Sequence, residues 1–395
     1  MSSDSFQTST SHSTATTIST EQKDFSDGNP LCIDELPTPS LVLDLDLFEA
    51  NLQKMSQDSR NSSIQLRPHA KTHKCPEIAK RQIEAGAIGL CTSTIYEAEV
   101  LANAGIHGLL ITCEMIGLDK AKRLINLTRN QPDTLSVVDD HSHANFLNDI
   151  ATKEDVTLNV LIDIDPFGRR TGTTPGDQAF NLAESIMKLP GLNLQGIHSY
   201  SGASSHVVGF TERKSHSEKV MEAPIESFLR MKKAGMPVEI LSGGSTGTYN
   251  IDPFLSEMTE LQVGSYIFMD VDYRIIGGKN GPVYDDFKPS LTILTTVMSK
   301  QHSDIATVDA GIKGFATDRE VGPEIKNLTG IKYQFGGDEH GILHLEKPSQ
   351  EIKLGDRLEF IVPHCDPTVN LYDYLFCRRG EMIVGSWPIS GRGHR

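Results

Sequence analysis

The sequence predicts an α/β protein made of a TIM-type (β/α)8 barrel and a second, β-rich domain. Between residues 64 and 268, eight short runs rich in β-branched residues alternate with amphipathic stretches of helical period, as expected for parallel strands joined by crossover helices. After about residue 285, strand-like runs follow one another without long helices. A doubly wound open sheet is the alternative, but no GxGxxG follows the first strand and GxxxxGK[ST] does not occur.

The predicted barrel strands recur at regular intervals, and eight strand-and-helix units in about 200 residues suit this barrel. They are IQLRPH (64–69), IGLCT (88–92), GLLITC (108–113), LSVVDD (135–140), LNVLIDID (158–165), LNLQGIHSY (192–200), VEILS (238–242) and LQVGSYIF (261–268). The intervening helices carry boundary signals. Pro76 suits the first turn of one helix, and Gly86 and Gly105 suit the ends of two.

The strand-like runs of the second domain are LTILTTVMSK, DIATVDAG, GILHLE, DRLEFIVPH and EMIVGSW. We assign residues 48–280 to the barrel and residues 281–395 to the β-rich domain. Residues 36–47 contain the run SLVLDLD, which we expect to join the β-rich domain and make it discontinuous. Residues 1–35 are predicted to be a disordered tail, because 13 of the first 20 residues are Ser or Thr and such a segment buries little apolar surface.

Charge and composition predict a soluble cytoplasmic protein with a small-molecule partner. The formal charge is -15 without a polybasic run, which argues against binding to nucleic acid or to anionic membranes. No apolar stretch approaches the roughly 20 residues that cross a bilayer. A mitochondrial transit peptide is the alternative for the Ser-rich start, but no basic residue precedes Lys23. Six cysteines without a CxxC pair indicate reduced thiols.

The stretch RPHAKTHK, residues 67–74, follows the first predicted barrel strand, where barrel enzymes place reactive groups. Its crowded nitrogen bases should make loss of a proton from Lys71 easier and leave a nucleophilic amine. If the segment is extended, Arg67, His69 and Lys71 lie on one face. The alternative interpretation is a solvated basic loop.

A second candidate, LSGGSTGTYN, follows the seventh barrel strand, where this barrel commonly binds phosphate. Its glycines let backbone N–H groups converge and its hydroxyls add donors. The predicted cradle comprises Gly243, Gly244, Ser245, Thr246 and Gly247, with Thr248 as a further hydroxyl donor and with Gly264 and Ser265 from the eighth strand. An ordinary turn is the alternative interpretation of such a loop.

An amine at one strand end and a phosphate cradle at the same barrel mouth together predict a cofactor that carries an aldehyde and a phosphate. Pyridoxal 5'-phosphate has both groups. Lys71 would hold it as a Schiff base, and Tyr200 would pack on its ring or hold its phosphate. Arg170 is a candidate partner for the ring oxygen or for a substrate carboxylate, and adjacent Arg169 is an equal candidate.

The third candidate is VPHCDPTVNLYD, residues 362–373. On a strand, His364 and Asp366 share a face and form a site for one divalent ion, whereas Cys365 points away. An imidazole and a carboxylate accept Mn, Mg, Co or Zn, while a thiolate would favour Zn. If the segment is a bulged loop, Cys365 instead turns toward the metal.

Seven motifs occur in order from about residue 36 to the end: TPSLVLDLDLFEANLQKM, RPHAKTHK, GGSTGTY, LQVGSYIFMD, DAGIKGFATD, GDEHG and HCDPTVNLYD. Together they resemble the D-threonine aldolases and their relatives, the eukaryotic-type D-serine dehydratases, which have the alanine-racemase type of fold. The resemblance implies a barrel that binds pyridoxal 5'-phosphate, a β-rich second domain, and a homodimer whose active sites draw on both subunits.

By matching position, the resemblance implies that Lys71 is the Schiff-base lysine and that His364 and Asp366 bind the metal. It places Gln262 beside the pyridine nitrogen, where alanine racemases have an arginine. A neutral amide either donates or accepts a hydrogen bond, so the protonation of the ring stays open. The dehydratase branch has HxC where this chain has HxD, so the resemblance favours the aldolase.

The predicted reaction cleaves D-threonine and related D-β-hydroxy-α-amino acids to glycine and an aldehyde. Besides a metal-bound hydroxide, the candidates for the general base are four histidines: His69, His73, His198 and His206. Asp309, Lys313 and residues 338–340 are candidates to line the substrate pocket from the second domain, and turn or surface positions are an equal alternative for them. The alternatives are a dehydratase that releases ammonia and a keto acid from D-serine or D-3-hydroxyaspartate, and a non-catalytic protein that binds pyridoxal 5'-phosphate.

Overall fold

The computed structural model describes residues 31–393. It contains an eight-stranded parallel sheet and a ten-stranded antiparallel-rich sheet, which confirms the predicted fold class. The prediction of a disordered tail falls, for residues 1–30, outside the described residues. Residues 31–35 form the strand β1 (Leu31–Cys32) and a 3-10 turn, and β1 pairs with a strand near the C-terminus.

After β2 (Ser40–Asp44) and helix α1 (Leu45–Ser62), the chain forms the parallel sheet, and each of the eight runs predicted as barrel strands contains or overlaps one of its strands. They are β3 (Gln65–Leu66), β4 (Cys91–Thr92), β5 (Leu110–Ile111), β6 (Leu135–Val138), β7 (Leu158–Asp163), β8 (Leu192–Ser199), β9 (Ile240–Gly243) and β10 (Glu260–Leu261). Their order is β3-β10-β9-β8-β7-β6-β5-β4. A parallel bridge between His69 and Cys91 joins the two ends and closes the barrel.

Helices connect the strands of this sheet and follow its last strand. They are α2 (Pro76–Glu84), α3 (Ile95–Asn103), α4 (Leu118–Asn130), α5 (His141–Lys153), α6 (Asp177–Ile186), α7 (Gly202–Ser205), α8 (Phe210–Lys233) and α9 (Val271–Arg274). Pro76 begins α2, and Gly86 and Gly105 follow α2 and α3 with φ of +104° and +83°. Both predicted boundaries are therefore confirmed, because glycine adopts this left-handed conformation at little cost.

Two predicted strands are shorter than expected. Extended pairing continues from β3 to His69, whose N–H donates to Val263 O at 2.9 Å, but residues Ala70–Thr72 form a 3-10 turn. The extended conformation that would place Lys71 on the face of Arg67 and His69 therefore ends before Lys71. After β10, Ser265–Ile267 also form a 3-10 turn, because the Tyr266 N–H leaves the ladder and donates to Thr246 Oγ1 at 3.1 Å.

The second sheet contains β1, β2 and the remaining strands. They are β11 (Leu291–Ser299), β12 (Ile305–Val308), β13 (Glu324–Ile325), β14 (Ile331–Phe335), β15 (Gly341–Leu345), β16 (Arg357–Ile361), β17 (Tyr374–Arg379) and β18 (Met382–Pro388), with the short helix α10 (Cys365–Val369) after β16. β2 lies between β11 and β17. The sequence interpretation missed three strands of this domain. They are the two-residue strand β13, β14, whose half-exposed residues give little apolar signal, and β17, which ends in two arginines.

Backbone hydrogen bonds hold the β-rich sheet against the barrel mouth. The N–H groups of Val271 and Asp272, just after the eighth barrel strand, donate to the carbonyls of Val362 and Pro363 at 3.0 and 3.1 Å. The buried Asp270 carboxylate accepts the Cys365 N–H at 2.9 Å. These contacts place the segment that begins α10 over the C-terminal ends of the barrel strands. Among residues 31–393, no helix is both long and apolar enough to span a membrane.

Candidate functional site

A cavity lies at the C-terminal mouth of the barrel, where this architecture carries its chemistry. Twelve of the fifteen residues predicted for the site line it: His69, Lys71, Arg170, His198, Tyr200, Ser245, Thr246, Gln262, Gly264, Ser265, His364 and Asp366. The lining also includes residues that the sequence interpretation did not select or named only as alternatives: Thr72, Ser93, Thr112, Cys113, His206, Tyr273 and Arg319. Motifs about 300 residues apart therefore converge on one cavity.

The Lys71 amine faces the second domain's acidic residue. Its Nζ is 3.6 Å from Asp366 Oδ1 and 5.9 Å from the centre of the Tyr200 ring. The Asp366 carboxylate raises the pKa of Lys71. The expectation of a lowered pKa is therefore wrong for this state of the protein, because the neighbouring cations count for less than one carboxylate brought in by the fold.

The ring of His69 is held on both sides. Its Nδ1 accepts the Lys71 backbone N–H at 3.4 Å, and its Nε2 is 3.1 Å from the Thr112 hydroxyl, which donates to Thr92 O. Burial lowers the pKa of His69 well below its usual value, so the ring is neutral and its proton lies on Nε2. This arrangement fits a side chain that fixes the Lys71 turn, and a catalytic role for His69 stays a prediction.

His198 also has a partner on each ring nitrogen. Nδ1 lies 2.6 Å from Asp163 Oδ1, and Nε2 lies 3.3 Å from Gln262 Oε1. The amide nitrogen of Gln262 donates to Ser242 Oγ at 2.7 Å. Burial opposes ionisation of Asp163, but His198 beside it produces a net lowering of the pKa of Asp163. Asp163 at the end of β7 was missed, although its position at a barrel strand end was a usable signal. A catalytic role for His198 stays a prediction.

The predicted phosphate cradle is only partly formed by its glycines. A Cβ on Gly243 or Gly247 would approach Ser199 O or Ser205 O within 2.2 Å, so these glycines allow the loop to pack against neighbouring backbone. Gly243, Gly244 and Gly247 do not line the cavity. The groups that face it come from Ser245, Thr246, Gly264 and Ser265.

Thr72 completes this corner of the cavity and was not selected from the sequence. Its Oγ1 is buried without a hydrogen-bond partner among residues 31–393, and a Cβ on Gly264 would lie 2.5 Å from it. An unpartnered buried hydroxyl costs about 1–3 kcal/mol. The cost is removed if an anionic ligand accepts a hydrogen bond from this hydroxyl, so the position of Thr72 fits the predicted cradle.

The remaining hydroxyl of the predicted cradle, that of Thr248, faces away from the cavity. It donates to Asp252 Oδ2 at 2.5 Å, and Ser217 Oγ donates to Asp252 Oδ1 at 2.6 Å. Burial raises the pKa of Asp252 to about 6. Asp252 therefore holds the LSGGSTGTYN loop from the side that faces away from the cavity.

This buried carboxyl gives a testable pH dependence of stability. Between about pH 4 and 6, native Asp252 keeps a proton that the unfolded chain has lost, so the wild-type free energy of unfolding falls as pH rises. We subtract the free energy of unfolding of Asp252→Asn from that of the wild type, both measured by urea unfolding. This difference should decrease by about 3 kcal/mol between pH 4 and 7. Asp285 is exposed, so Asp285→Asn should show the pH dependence of the wild type. If the free energy of unfolding of Asp252→Asn changes with pH as that of the wild type does, Asp252 does not have a raised pKa.

Arg170 is the arginine of the pair that reaches the cavity. Its guanidinium carbon lies 5.4 Å from the Tyr200 ring centre, within cation–π distance. Arg169 does not line the cavity, and its backbone N–H donates to the Asp165 carboxylate. Of Arg169 and Arg170, only Arg170 is therefore placed to meet a ligand in the cavity. Its role toward that ligand stays a prediction.

His364 and Asp366 meet in the cavity, although not as residues of a strand. Asp366 lies in the first turn of α10 and His364 precedes that helix, and their nearest atoms, Nε2 and Oδ2, are 3.8 Å apart. Burial opposes ionisation of Asp366, but Lys71 and His364 nevertheless lower the pKa of Asp366 to about 2. Cys365 is fully buried and does not line the cavity.

Asp318 orients His364 and was not selected from the sequence. Its Oδ2 lies 2.7 Å from His364 Nδ1, which leaves Nε2 directed toward Asp366. Histidines that bind metals usually donate their second ring N–H to a carboxylate in this way. Within residues 31–393, however, no group of three or more His, Cys, Asp or Glu side chains has metal-binding geometry, so protein groups would supply only part of a coordination shell.

The residues proposed to line the pocket from the second domain lie elsewhere in this chain. Asp309 accepts hydrogen bonds from Thr38 and Thr296 at 2.5 and 2.8 Å. Lys313 is exposed and paired with Glu339. These contacts belong to the β-rich sheet, and neither these residues nor residues 338–340 line the cavity of this chain. Of the two interpretations, turn and surface positions therefore describe them within one chain.

Comparison with known proteins agrees with this architecture. Residues 43–272 match the family model "Alanine racemase, N-terminal domain", and residues 290–378 match "Putative serine dehydratase domain". The chain is 36% identical to a D-threonine aldolase of an Arthrobacter species, over 93% of this chain and 95% of that protein. It is 33% identical to a 3-hydroxy-D-aspartate aldolase of Paracoccus denitrificans, over 91% and 93%.

The crystal structure of D-threonine aldolase from Filomicrobium marinum superposes with a TM-score of 0.87 at 34% identity, covering 92% of this chain and 97% of that one. The fold and the first matching family model define a protein of the alanine racemase fold. Within that class, the chain belongs to the D-threonine aldolase family.

Proposed function

We propose that this protein is a carbon–carbon lyase that cleaves D-threonine and related D-β-hydroxy-α-amino acids to glycine and an aldehyde. The observation that carries the proposal is the meeting of Lys71 with Asp366 and His364 in one cavity, with Nζ 3.6 Å from Asp366. This places an amine beside a pair of groups suited to act on a neighbouring alcohol. Similarity to two kinds of aldolase over more than nine-tenths of the chain supports it.

The cavity fits pyridoxal 5'-phosphate, the cofactor that the alanine racemase fold implies. Lys71 offers an amine for the aldehyde, and the unpartnered hydroxyl of Thr72 lies at the corner lined by Ser245, Thr246 and Ser265. We propose that this corner holds the phosphate. When bound, the cofactor supplies an electron-withdrawing ring that stabilises negative charge at the substrate Cα.

We further propose that His364 and Asp366 bind a divalent ion such as Mn, Mg, Co or Zn. Their nitrogen and oxygen donors suit these ions, and the bond from His364 to Asp318 leaves Nε2 available. With two protein ligands, the remaining positions would go to water and substrate. When bound, the ion supplies Lewis acidity that makes a nearby alcohol more acidic.

His206 is the best placed of the candidate bases. It lines the cavity, its ring packs 4.9 Å from that of Tyr273, and its Nδ1 lies 3.2 Å from Asp272. Burial lowers the pKa of His206, so the ring is neutral near pH 7 and able to accept a proton. By contrast, both ring nitrogens of His69 and His198 are engaged, and His73 does not line the cavity.

The positions of the cavity side chains suggest a separate role for each of them. Arg170, stacked on Tyr200, would bind a substrate carboxylate or the cofactor's ring oxygen. Gln262, held by His198 and Ser242, would meet the pyridine nitrogen. His206 would take the proton of the β-hydroxyl, and breakage of the Cα–Cβ bond would follow. We also propose a homodimer in the cytoplasm, testable by light scattering and by localisation of a tagged chain.

The decisive experiment identifies products. The purified protein, loaded with pyridoxal 5'-phosphate, is incubated with D-threonine or D-serine, with and without Mn²⁺. We expect glycine and acetaldehyde from D-threonine, with loss of activity after EDTA treatment. Cofactor binding without turnover of either substrate would instead indicate the non-catalytic alternative and contradict the proposal.

A dehydratase is the second candidate function. The match of residues 290–378 to the putative serine dehydratase domain favours it, because that segment carries His364 and Asp366. The same incubations separate the two functions, since a dehydratase releases ammonia and a keto acid. Ammonia from D-serine without glycine from D-threonine would replace the aldolase proposal.

The metal proposal predicts a role for Asp318. Asp318→Ala removes the carboxylate that orients His364, so Mn²⁺ should bind about 10–100-fold more weakly, as measured by calorimetric titration. Exposed Glu320→Ala in the same loop is the matched control and should bind Mn²⁺ as the wild type does. Unchanged affinity in Asp318→Ala would show that His364 needs no such support.

A further inference from the structure

Arg319 lines the cavity and has one edge of its guanidinium group without hydrogen bonds among residues 31–393. Its Nε lies 3.1 Å from Asp272 Oδ2 and 3.6 Å from Asp318 Oδ2. Neither terminal nitrogen makes a hydrogen bond among residues 31–393, and 34% of the side-chain surface is exposed. A guanidinium group has two donor edges. The Nε edge is therefore occupied, and the edge formed by the two terminal nitrogens remains available.

The position of Arg319 relates it to the substrate β-carbon. Asp318 contacts both Arg319 Nε and His364 Nδ1, at 3.6 and 2.7 Å. Arg319 is thus the cationic neighbour of the His364 and Asp366 pair, where the β-hydroxyl is proposed to bind. The β-carbon of the substrate carries both the hydroxyl and the β-substituent. A protein side chain beside the hydroxyl site, such as Arg319, is therefore close to the β-substituent.

The rest of the lining offers little to an aliphatic substituent. No Ala, Val, Leu, Ile, Met, Phe or Pro from residues 31–393 lines the cavity. Its aromatic rings are engaged, since the Arg170 guanidinium carbon lies 5.4 Å from the centre of the Tyr200 ring and Tyr273 packs on His206. A methyl group would gain little from burial here, whereas a carboxylate would gain a bidentate, charge-assisted partner.

We propose that Arg319 binds a carboxylate on the substrate β-carbon, so that the chain prefers 3-hydroxy-D-aspartate to D-threonine. This substrate assignment rests on the proposed aldolase function. In the reaction, the Cα–Cβ bond breaks and its electron pair remains on Cα. The β-hydroxyl loses a proton and becomes the aldehyde oxygen of glyoxylate, while Cα gains a proton and becomes glycine, so atoms and charge balance.

The kinetic test compares kcat/KM for 3-hydroxy-D-aspartate and D-threonine in three proteins. Arg319→Gln should lower kcat/KM for 3-hydroxy-D-aspartate about 100-fold and leave that for D-threonine within about three-fold of the wild type. Arg274→Gln is the matched control, since Arg274 also carries an ion pair, 3.3 Å to Glu324, but does not line the cavity. It should retain the wild-type ratio.

A binding measurement does not depend on turnover. In wild type loaded with pyridoxal 5'-phosphate, D-aspartate should raise the melting temperature more than D-2-aminobutanoate, which lacks the second carboxylate, at the same concentration. Arg319→Gln should remove this difference and Arg274→Gln should keep it. The wild-type comparison remains informative if Arg319→Gln does not fold.

The outcomes separate this inference from the function on which it rests. Wild type that cleaves D-threonine faster than 3-hydroxy-D-aspartate, or that binds both ligands equally, overturns the role of Arg319 and leaves the aldolase proposal standing. An equal fall for both substrates in Arg319→Gln assigns Arg319 to general support of the site and also overturns the inference. Wild type that cleaves neither substrate overturns the aldolase function and the inference together.

Discussion

Lys71→Ala is expected to lower the rate of D-threonine cleavage by at least about 10⁴-fold, as for loss of a covalent catalytic residue. The physical reason is position: Lys71 Nζ lies between Asp366 and the Tyr200 ring at the mouth of the barrel. Lys74 Nζ is committed to the Lys71 carbonyl and would not replace it. The variant should also lose the visible absorbance band of protein-linked cofactor, measured on purified protein after dialysis.

Lys80→Ala is the control for this variant, because Lys80 is a half-exposed lysine of α2 that only approaches Glu77 at 4.0 Å. It should keep both the absorbance and the activity. A visible band that persists in Lys71→Ala would mean that another amine holds the cofactor. The far-ultraviolet circular dichroism of both variants should match the wild type, which would exclude unfolding as the cause.

Asp366→Asn is expected to lower the Mn²⁺-dependent rate by about 100-fold or more, since it removes one of two proposed protein ligands. A second effect follows from the charge. Asp366 is the largest cause that raises the pKa of Lys71, so the amide should lower that pKa. The pH at which the cofactor binds half-maximally should then fall, measured by absorbance titration without added metal.

Asp338→Asn is the matched control, because Asp338 is an exposed carboxylate of the same domain that does not line the cavity. It should leave the metal response and the pH of cofactor binding unchanged. If Asp366→Asn keeps the wild-type response to Mn²⁺, the metal site lies elsewhere. If cofactor binding also keeps its pH dependence, the contact between Lys71 and Asp366 does not control the amine.

Much of the fold follows from periodicity. Each run predicted as a barrel strand contains or overlaps an observed strand, because buried parallel strands separated by amphipathic helices leave a regular apolar signal. The exceptions are local. Lys71 leaves the strand in a 3-10 turn, and the run after β10 turns at Ser265, since side-chain and loop contacts there replace the ladder hydrogen bonds.

Some residues of the candidate site were identified from the sequence, and others were recognised only in the folded chain. The motifs identified Lys71, the Ser245 and Thr246 loop, and the His364 and Asp366 pair, because each combines chemically distinctive groups with a strand or helix end. Thr72, Asp318 and Arg319 were missed. Their residue types are common, and only their unpartnered or bridging atoms in the folded chain mark them.

The sequence by itself determined the order of elements, the groups able to do chemistry, and the family to which the chain belongs. Only the tertiary structure decided the charge environment of Lys71 and the open guanidinium edge of Arg319. The physical reason is that pattern and propensity act over a few residues, whereas pKa values and free donor edges depend on groups brought within about 4 Å from distant parts of the chain. Asp366 lies 295 positions beyond Lys71 in the sequence, yet it sets the pKa of that lysine.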